Sequence, residues 1–270
     1  MANTINLGNG DWATKEDSLL GYNNENAAYK PLPFDFTRAS SGTVVNRQGL
    51  IETVALGLPR IDFQDNTNGS LLLEPQSTNL LLQSNQFDTT WVKQNVTVAS
   101  NNATSPDGTT NADTLIPSTS NVNHFLNQDS SITSGTTYTQ SIYAKANAYS
   151  FLQITGSSGF ASVYQNFNLN DGTLGSTDGG IATITNCGNG WYRCTYTLTA
   201  TSTTGGGRFI IAIVSLSTSG RIAAFSGNGT DGISLYGAQL EQQSYATSLI
   251  NTQGTTVTRV QDLCNNGGSV

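Results

Sequence analysis

Apolar residues in this chain recur with a period of two, not 3.6, and turn-forming residues break the runs at roughly 8–12-residue spacing. That pattern restricts the chain to an all-β architecture. Tyr138–Lys145 alternates cleanly: Tyr138, Gln140, Ile142 and Ala144 share one face, and Thr139, Ser141, Tyr143 and Lys145 share the other. Trp191–Leu198 does the same, with Tyr192, Cys194, Tyr196 and Leu198 opposed to Arg193, Thr195 and Thr197. Such half-apolar runs predict antiparallel strands with one buried face. Arg208–Leu216 is apolar on both faces and predicts a central strand, and Ile233–Leu240 predicts another strong one. Asn170-Asp171-Gly172 and Gly188-Asn189-Gly190 read as hairpin turns. Many short, evenly spaced strands make a sandwich or a barrel.

Before Trp91 the runs are shorter and interrupted by Pro33, Pro59 and Pro75. They are Phe34–Thr37, Gly42–Val45, Leu50–Val54, Arg60–Phe63, Leu71–Glu74 and Leu80–Leu82, and they suit edge strands or an extended wrap. Thr14–Leu20, with a capping-box-like Thr14 and Asp17 and with Gly21 as a stop, is a candidate helix. The expected organisation is an irregular N-terminal segment (1–75), a β-sandwich (76–250) and a C-terminal linker or strand (251–270).

Charge narrows the partners. Only 11% of residues are charged, and the net charge is −7. This opposes nucleic-acid binding, which needs a basic footprint, and disfavours an anionic membrane surface. A polar, acidic, weakly charged chain suits a neutral partner such as a glycan. No apolar stretch reaches the length of a membrane span, so no membrane insertion is expected, and the N-terminus lacks the basic and apolar regions of a secretory signal. The three cysteines, Cys187, Cys194 and Cys264, are odd in number. With Cys187 opposite Trp191 across the Gly188–Gly190 loop, Cys194 is too distant for a bridge. All three are read as reduced, with Cys194 in the core, as expected for folding in a reducing cytosol.

Catalytic motifs are weak. Gly227-Asn-Gly-Thr-Asp-Gly232 matches a dinucleotide-binding string, but a strand-like run follows it where a helix is required, so it reads as a turn. The one histidine, His124, has no nucleophile-elbow or zinc-ligand spacing beside it and reads as structural. Asp65, Asp107, Asp171, Asp178 and Asp231 sit among turn formers and read as turn aspartates rather than a glycosidase pair. Asp65–Gly69 begins like a calcium loop, but Gln76 stands where the bidentate acid belongs. No cofactor is expected, and a structural calcium elsewhere in the sandwich is left open. Four Asn-x-Ser/Thr sequons occur, as expected by chance at this Asn, Ser and Thr content. The binding candidates are aromatics and amides: Tyr143, Tyr149, Phe151, Phe160 and Tyr164, with Gln153, Gln165 and Asn166 nearby. A ring can stack on the C–H face of a sugar while amides fix its orientation. Core or inter-subunit packing is the competing role for each ring.

Three groups of segments resemble a known family when taken together. They are Pro33–Ala55; then Pro59–Phe63, Ser70–Leu80 and Ser84–Asp88 with Trp91; then Ser105–Thr109, Ala112-Asp113, Gly188–Cys194 and Tyr236–Glu241. This set resembles tailed-bacteriophage virion proteins of tail fibres and surface appendages. Their sandwich is similar to a jelly-roll carbohydrate-binding module. The resemblance spans roughly residues 33–260. It implies a non-enzymatic virion component, assembled in the host bacterial cytoplasm and homotrimeric. Its N-terminal segment would contact other virion proteins and its sandwich would present a host-surface glycan site. A capsid-decorating or head-fibre protein with a structural role is the alternative, and a depolymerase component is a third. The family supplies no fixed site residues to transfer. Members continue past the Cys264-Asn265-Asn266 motif into a second sandwich, whereas this sequence ends at Val270.

Overall fold

The computed structural model describes residues 35–265 throughout and, before them, four strands: β1 (Asn3–Ile5), β2 (Trp12–Lys15), β3 (Ser18–Asn23) and β4 (Ala28–Pro31). Among the described residues there is no helix. The chain divides into two compact units. One takes the residues up to Ser77 together with Thr247–Ile250 and those from Thr258 on. The other takes Thr78–Ala246 with Asn251–Val257. C-terminal residues thus belong to the same unit as the N-terminal ones.

In the first unit, β5 (Asp35–Thr37), β6 (Gly42–Val45), β7 (Ile51–Val54), β8 (Ile61–Asp62) and β9 (Ser70–Leu73) follow the sequence runs closely. β6 pairs with β7, β8 with β9, and β9 with β1, all antiparallel. The expected helix at Thr14–Leu20 is instead a hairpin, with β2 antiparallel to β3 and Lys15 opposite Ser18. Seven residues cannot offset the cost of helix nucleation, whereas β3 gains a ladder on both sides, from β2 and β4.

What holds this unit together is ionic as well as apolar. Arg38, Arg60 and Arg259 are buried with Glu74 and Asp262. Arg60 Nη1 and Arg259 Nη1 each lie 2.8 Å from Glu74 Oε2, and Arg38 Nη1 lies 3.1 Å from Asp262 Oδ1. Arg60 Nη2 also pairs with Asp262 Oδ2. Spare donors reach backbone carbonyls: Arg38 Nη2 donates to Ala55 O (2.7 Å), and Arg259 Nη2 to Pro75 O (2.7 Å). Ser248 donates to Glu74 from both N (2.7 Å) and Oγ (2.6 Å). Burial works to raise the Glu74 pKa, but the guanidinium groups of Arg259 and Arg60 outweigh it and hold the carboxyl below its ordinary value. Arg259 and Asp262 explain why the C-terminal residues belong here. β24 (Leu263–Asn265) then pairs with β5.

The second unit is a jelly roll. After β10 (Ser77–Asn79) come β11 (Val92–Gln94), β12 (Val96–Thr104), β13 (Thr110–Pro117), β14 (His124–Ile132), β15 (Thr137–Ala146) and β16 (Phe151–Ser157). β17 (Tyr164–Asn168), β18 (Thr173–Thr177), β19 (Ile181–Asn186), β20 (Trp191–Thr199), β21 (Thr204–Val214) and β22 (Ile233–Glu241) follow, and β23 (Val257–Arg259) begins as the chain returns to the first unit. The front sheet has the order β12-β13-β22-β15-β20-β19 and the back sheet β11-β14-β21-β16-β17-β18. From β13 to β16 successive strands alternate between sheets, as do β20, β21 and β22. The resulting orders β13-β22-β15-β20 and β14-β21-β16-β17 are those of two interlocked Greek keys. Leu80–Leu82, expected as a strand, forms none. Leu80 N donates to Leu240 O (2.9 Å) while Leu81 plugs the core.

The inward faces are those expected from alternation. Tyr138, Ile142 and Ala144 of β15 and Cys194, Tyr196 and Leu198 of β20 meet Phe209, Ile211 and Ile213 of β21 and Leu152 and Ile154 of β16. Each Leu, Ile and Phe among them contributes about 1.5–3 kcal/mol on burial. β21 is interior to its sheet and buried on both faces, as its sequence requires. No disulfide joins Cys187, Cys194 or Cys264, and Cys194 is fully buried. Cys187 N donates to Trp191 O (2.8 Å), placing those residues opposite each other across the hairpin.

Candidate functional site

Alternation along β15 and β20 aims their second set of side chains out of the front sheet, and register lines them up. Tyr143 sits between Arg193 and Tyr236, and Ser141 between Thr195 and Gln239. Thr139 sits between Thr197 and Glu241. Strand β19 extends these rows with Thr185, Thr183 and Ile181. The alignment needs a bulge. Between its partners Ser141 and Tyr143, β22 spends one extra residue, with Gly237 at φ 64°. The bulge lets Tyr236 and Gln239 face outward while Leu235 and Ala238 face the core.

The rows are bonded crosswise. Thr183 and Thr195 hydroxyls lie 2.6 Å apart, and those of Thr139 and Thr197 2.8 Å apart. Arg193 places its guanidinium carbon 5.2 Å from the Tyr143 ring centroid, and Nη2 donates to Ser141 Oγ at 3.3 Å. Tyr143 and Tyr236 meet edge-to-face at 6.2 Å. Tyr236 donates its hydroxyl to Asp107 Oδ2 (2.9 Å), and Gln239 Nε2 donates to Glu241 Oε2 (2.9 Å). Burial, then the Asp107 charge, pushes the Tyr236 phenol above its ordinary pKa, so it stays a donor. Burial also works against the Asp107 charge. Donors from Ser105, Asn111 and Thr109 overcome it and bring that pKa down to about 2.

Accessibility runs across the face. Glu241, Gln239, Ser141 and Thr139 are fully buried, whereas Arg193, Thr195, Thr197 and Lys145 are half-buried, and Thr183, Thr185 and Ile181 exposed. A ligand would therefore meet a strip of hydroxyls with a guanidinium and an ammonium at one end. The buried carboxylate and amide lie behind it.

The residues expected to bind do not converge on one place. Tyr143 alone lies on this face. Phe160 is in the core, edge-to-face with Tyr138 at 5.7 Å. Tyr149 is half-buried against Phe225, with ring centroids 5.6 Å apart. Phe151 and Tyr164 are half-buried on the back sheet. Gln153, Gln165 and Asn166 are together there, but their groups are spent on the chain itself. Gln153 accepts from Ile222 N (2.7 Å) and donates to Asn166 Oδ1 (2.7 Å) and Gly220 O (3.1 Å). Asn166 donates to Ser217 O (3.1 Å) and Ser219 O (2.7 Å), and Gln165 to Asn166 O (2.7 Å) and Gly175 O (3.1 Å). The segment after β21 thus lies across these amides. Arg193, Thr195 and Ser141 were legible as outward-facing from alternation. Tyr236, Gln239 and Asp107 were not, because the Gly237 bulge and a distant turn bring them in.

His124 is fully buried, with Nδ1 2.8 Å from Asn95 O and Nε2 2.9 Å from Phe225 O. Both ring nitrogens are engaged by backbone. The Asp65–Gly69 segment is a turn, in which Asn66 Oδ1 accepts from Asn68 N (3.0 Å). Among the described residues no group of three or more His, Cys, Asp or Glu could hold a metal ion.

No family model and no curated protein sequence matches the chain. Among solved structures, it is similar to the CBM22-1–GH10 modules of the Clostridium thermocellum N-terminal endo-1,4-β-D-xylanase 10B, complexed with xylohexaose. The identity is 11% and the TM-score 0.35. The match covers 66% of this chain and 30% of that one. At that TM-score the likeness says nothing about ligand or activity.

Proposed function

We propose that the chain is a non-catalytic virion component of a tailed bacteriophage, belonging to a tail fibre or surface appendage and carrying a glycan-binding jelly roll. Residues 1–75 would attach it to other virion proteins and support a homotrimer. The front-sheet face would meet host-surface glycan. The virion part rests on the resemblance carried by the Pro33–Ala55, Ser70–Leu80 and Gly188–Cys194 segments. The glycan part rests on one observation, the accessible strip in which Arg193, held over Tyr143 and bonded to Ser141, borders the threonine rows. Hydroxyls and planar donors at fixed spacing suit sugar hydroxyls, and weak single sites gain from repetition on a particle. A binding role also fits the burial of His124 on two carbonyls, which removes it as a general base.

One observation favours a purely structural role, as in capsid decoration. The face's rings, Tyr143, Tyr236 and Trp191, are only 5%, 2% and 2% exposed, which leaves little ring surface for stacking. A glycan array probed with the full chain and with Arg193→Ala separates the two readings. Binding that Arg193→Ala weakens at least tenfold supports the glycan reading, and no binding to any surface polysaccharide leaves the structural one.

A further inference from the structure

His124 opens β14 with its ring wholly buried, and both ring nitrogens face backbone carbonyls, Asn95 O at 2.8 Å and Phe225 O at 2.9 Å. A carbonyl oxygen only accepts, so each nitrogen has to donate. Neutral imidazole carries one N–H and cannot serve both, because its second nitrogen would set a lone pair against a carbonyl oxygen. Imidazolium carries two N–H groups and serves both. The arrangement is that of the charged ring.

No carboxylate shares that charge: among the described residues His124 forms no ion pair. The charged groups on the elements around it are engaged elsewhere. On β11, Lys93 Nζ donates to Asp88 O (2.8 Å), and β12 has no charged residue. On β13, Asp113 accepts from Phe87 N and Asn101 N. Asp129 of β14 pairs with Arg208 of β21. In the segment that carries Phe225, Arg221 donates to Thr155 Oγ1 and Gly156 O, and Asp231 accepts from Gly232 N. Tyr149 meets Phe225 through its ring. A buried charge with no counter-ion is tolerated here only while both carbonyls accept from it.

The two carbonyls are not held alike. Asn95 O also accepts from Ser118 N (3.0 Å), and Asn95 Nδ2 donates to Asn123 O (2.9 Å), so three segments fix it. Phe225 lies in the Ser215–Gly232 connection between β21 and β22, where an isolated bridge to Val122 holds it. The part before it is laid over the back sheet by polar bonds. Ser217 O and Ser219 O accept from Asn166, Gly220 O accepts from Gln153, and Ile222 N donates to Gln153. Ile222 stands at φ 47°, a backbone conformation that a β-branched residue adopts only under strain.

We propose that His124 is a pH-sensitive clamp on the β21–β22 connection. Protonated, it ties Phe225 O to Asn95 O and closes the connection. When the proton leaves to solvent, the remaining N–H stays on the better-held Asn95 O, and the Nε2 lone pair faces Phe225 O. The Phe225 end lifts, the Ile222 backbone relaxes, and the Ser217–Ile222 strap loosens over Gln153 and Asn166. Its bonds there are polar, so water can replace them and the strap opens without unfolding the sandwich. The clamp holds at low pH and lets go as pH rises. It is independent of the glycan reading.

The sequence has one histidine, so nitrogen NMR of the full chain labelled at histidine reads this ring alone. The titration runs from about pH 5 to about pH 9, with hydrogen exchange followed in parallel. The expected result is two ring N–H protons at the low end and one, on Nδ1, at the high end. At the same midpoint the 215–225 amides should lose at least tenfold protection, after correction for the intrinsic pH dependence of exchange, while the β15 amides keep theirs. In His124→Gln, whose side chain has the same donors at every pH, protection of 215–225 should not vary with pH. The wild-type ring signals and exchange decide the matter even where that variant does not fold. A ring that keeps one proton throughout, or two throughout, would overturn the proposal. So would a ring that titrates while protection of 215–225 stays unchanged.

Discussion

Glu74→Gln removes one negative charge from a site where three arginines are buried. In the wild type Glu74 faces Arg60 and Arg259, each at 2.8 Å, and accepts two hydrogen bonds from Ser248. The amide keeps the shape, but it cannot neutralise either guanidinium, and its NH₂ group points donors where only acceptors fit. Breaking a buried pair by removing one partner costs about 3–5 kcal/mol. At about 1.4 kcal/mol per factor of ten, the open population of this unit rises by roughly 10²- to 10³-fold or more. Hydrogen exchange read by mass spectrometry on peptides covering β6, β7 and β9 measures it directly. Those peptides should exchange faster by that factor, while β15 and β22 peptides hold. Glu52→Gln, at an exposed hydrogen bond to Asn46, is the control and should change little. Exchange in β6, β7 and β9 that moves less than about tenfold would refute the claim that this charge network holds the unit.

The same carboxylate sets an acid limit. Its folded pKa lies below the ordinary 4.5, so its contribution is complete above about pH 4.5 and is lost as pH falls through the folded value. Acid titration of the β6 and β7 exchange rates should show it. Asp107, at about 2 against 3.8, acts likewise in the sandwich, and Asp107→Asn should reduce the pH 2–4 dependence of sandwich stability measured by urea unfolding, leaving the part that Asp129 supplies. Gly232→Ala would place a Cβ 1.5 Å from Leu115 O, a backbone atom, and should destabilise the sandwich by more than about 3 kcal/mol in the same assay. Gly205→Ala, with open space around its Cβ, should stay within about 0.5 kcal/mol. A thiol reagent should leave Cys194 unlabelled in the native chain, because burial pushes its pKa well above the ordinary value, and should reach it only on unfolding.

Strand identity in the sandwich was legible because period-two alternation is local. Tyr138–Lys145 and Trp191–Leu198 announced both their strands and their faces. Three features were not local. Thr14–Leu20 carries capping signals that a hairpin partner overrode. Gln153, Gln165 and Asn166 read as a polar recognition cluster, yet the Ser217–Ile222 segment, some fifty residues away in sequence, engages Gln153 and Asn166, and Gln165 bonds Asn166 O and Gly175 O. Arg38 and Asp262 stand 224 residues apart in sequence, and only the return of the C-terminal residues to the N-terminal unit buries them as a pair. The candidate face was half legible. Alternation sent Arg193, Thr195, Ser141 and Tyr143 outward, but register was needed to bring them side by side, and the Gly237 bulge to add Tyr236 and Gln239.

The central claim is that the outer face of the front sheet recognises glycan. Hydroxyl-radical footprinting of the full chain, with and without a bacterial surface polysaccharide that the glycan array selects, tests it most directly. The account predicts protection confined to the accessible residues of the face, Lys145, Ile181, Thr183, Thr185, Arg193, Thr195 and Thr197, and abolished in Arg193→Ala. Protection at β16 and β17 instead, or an unchanged footprint at saturating polysaccharide, would contradict it.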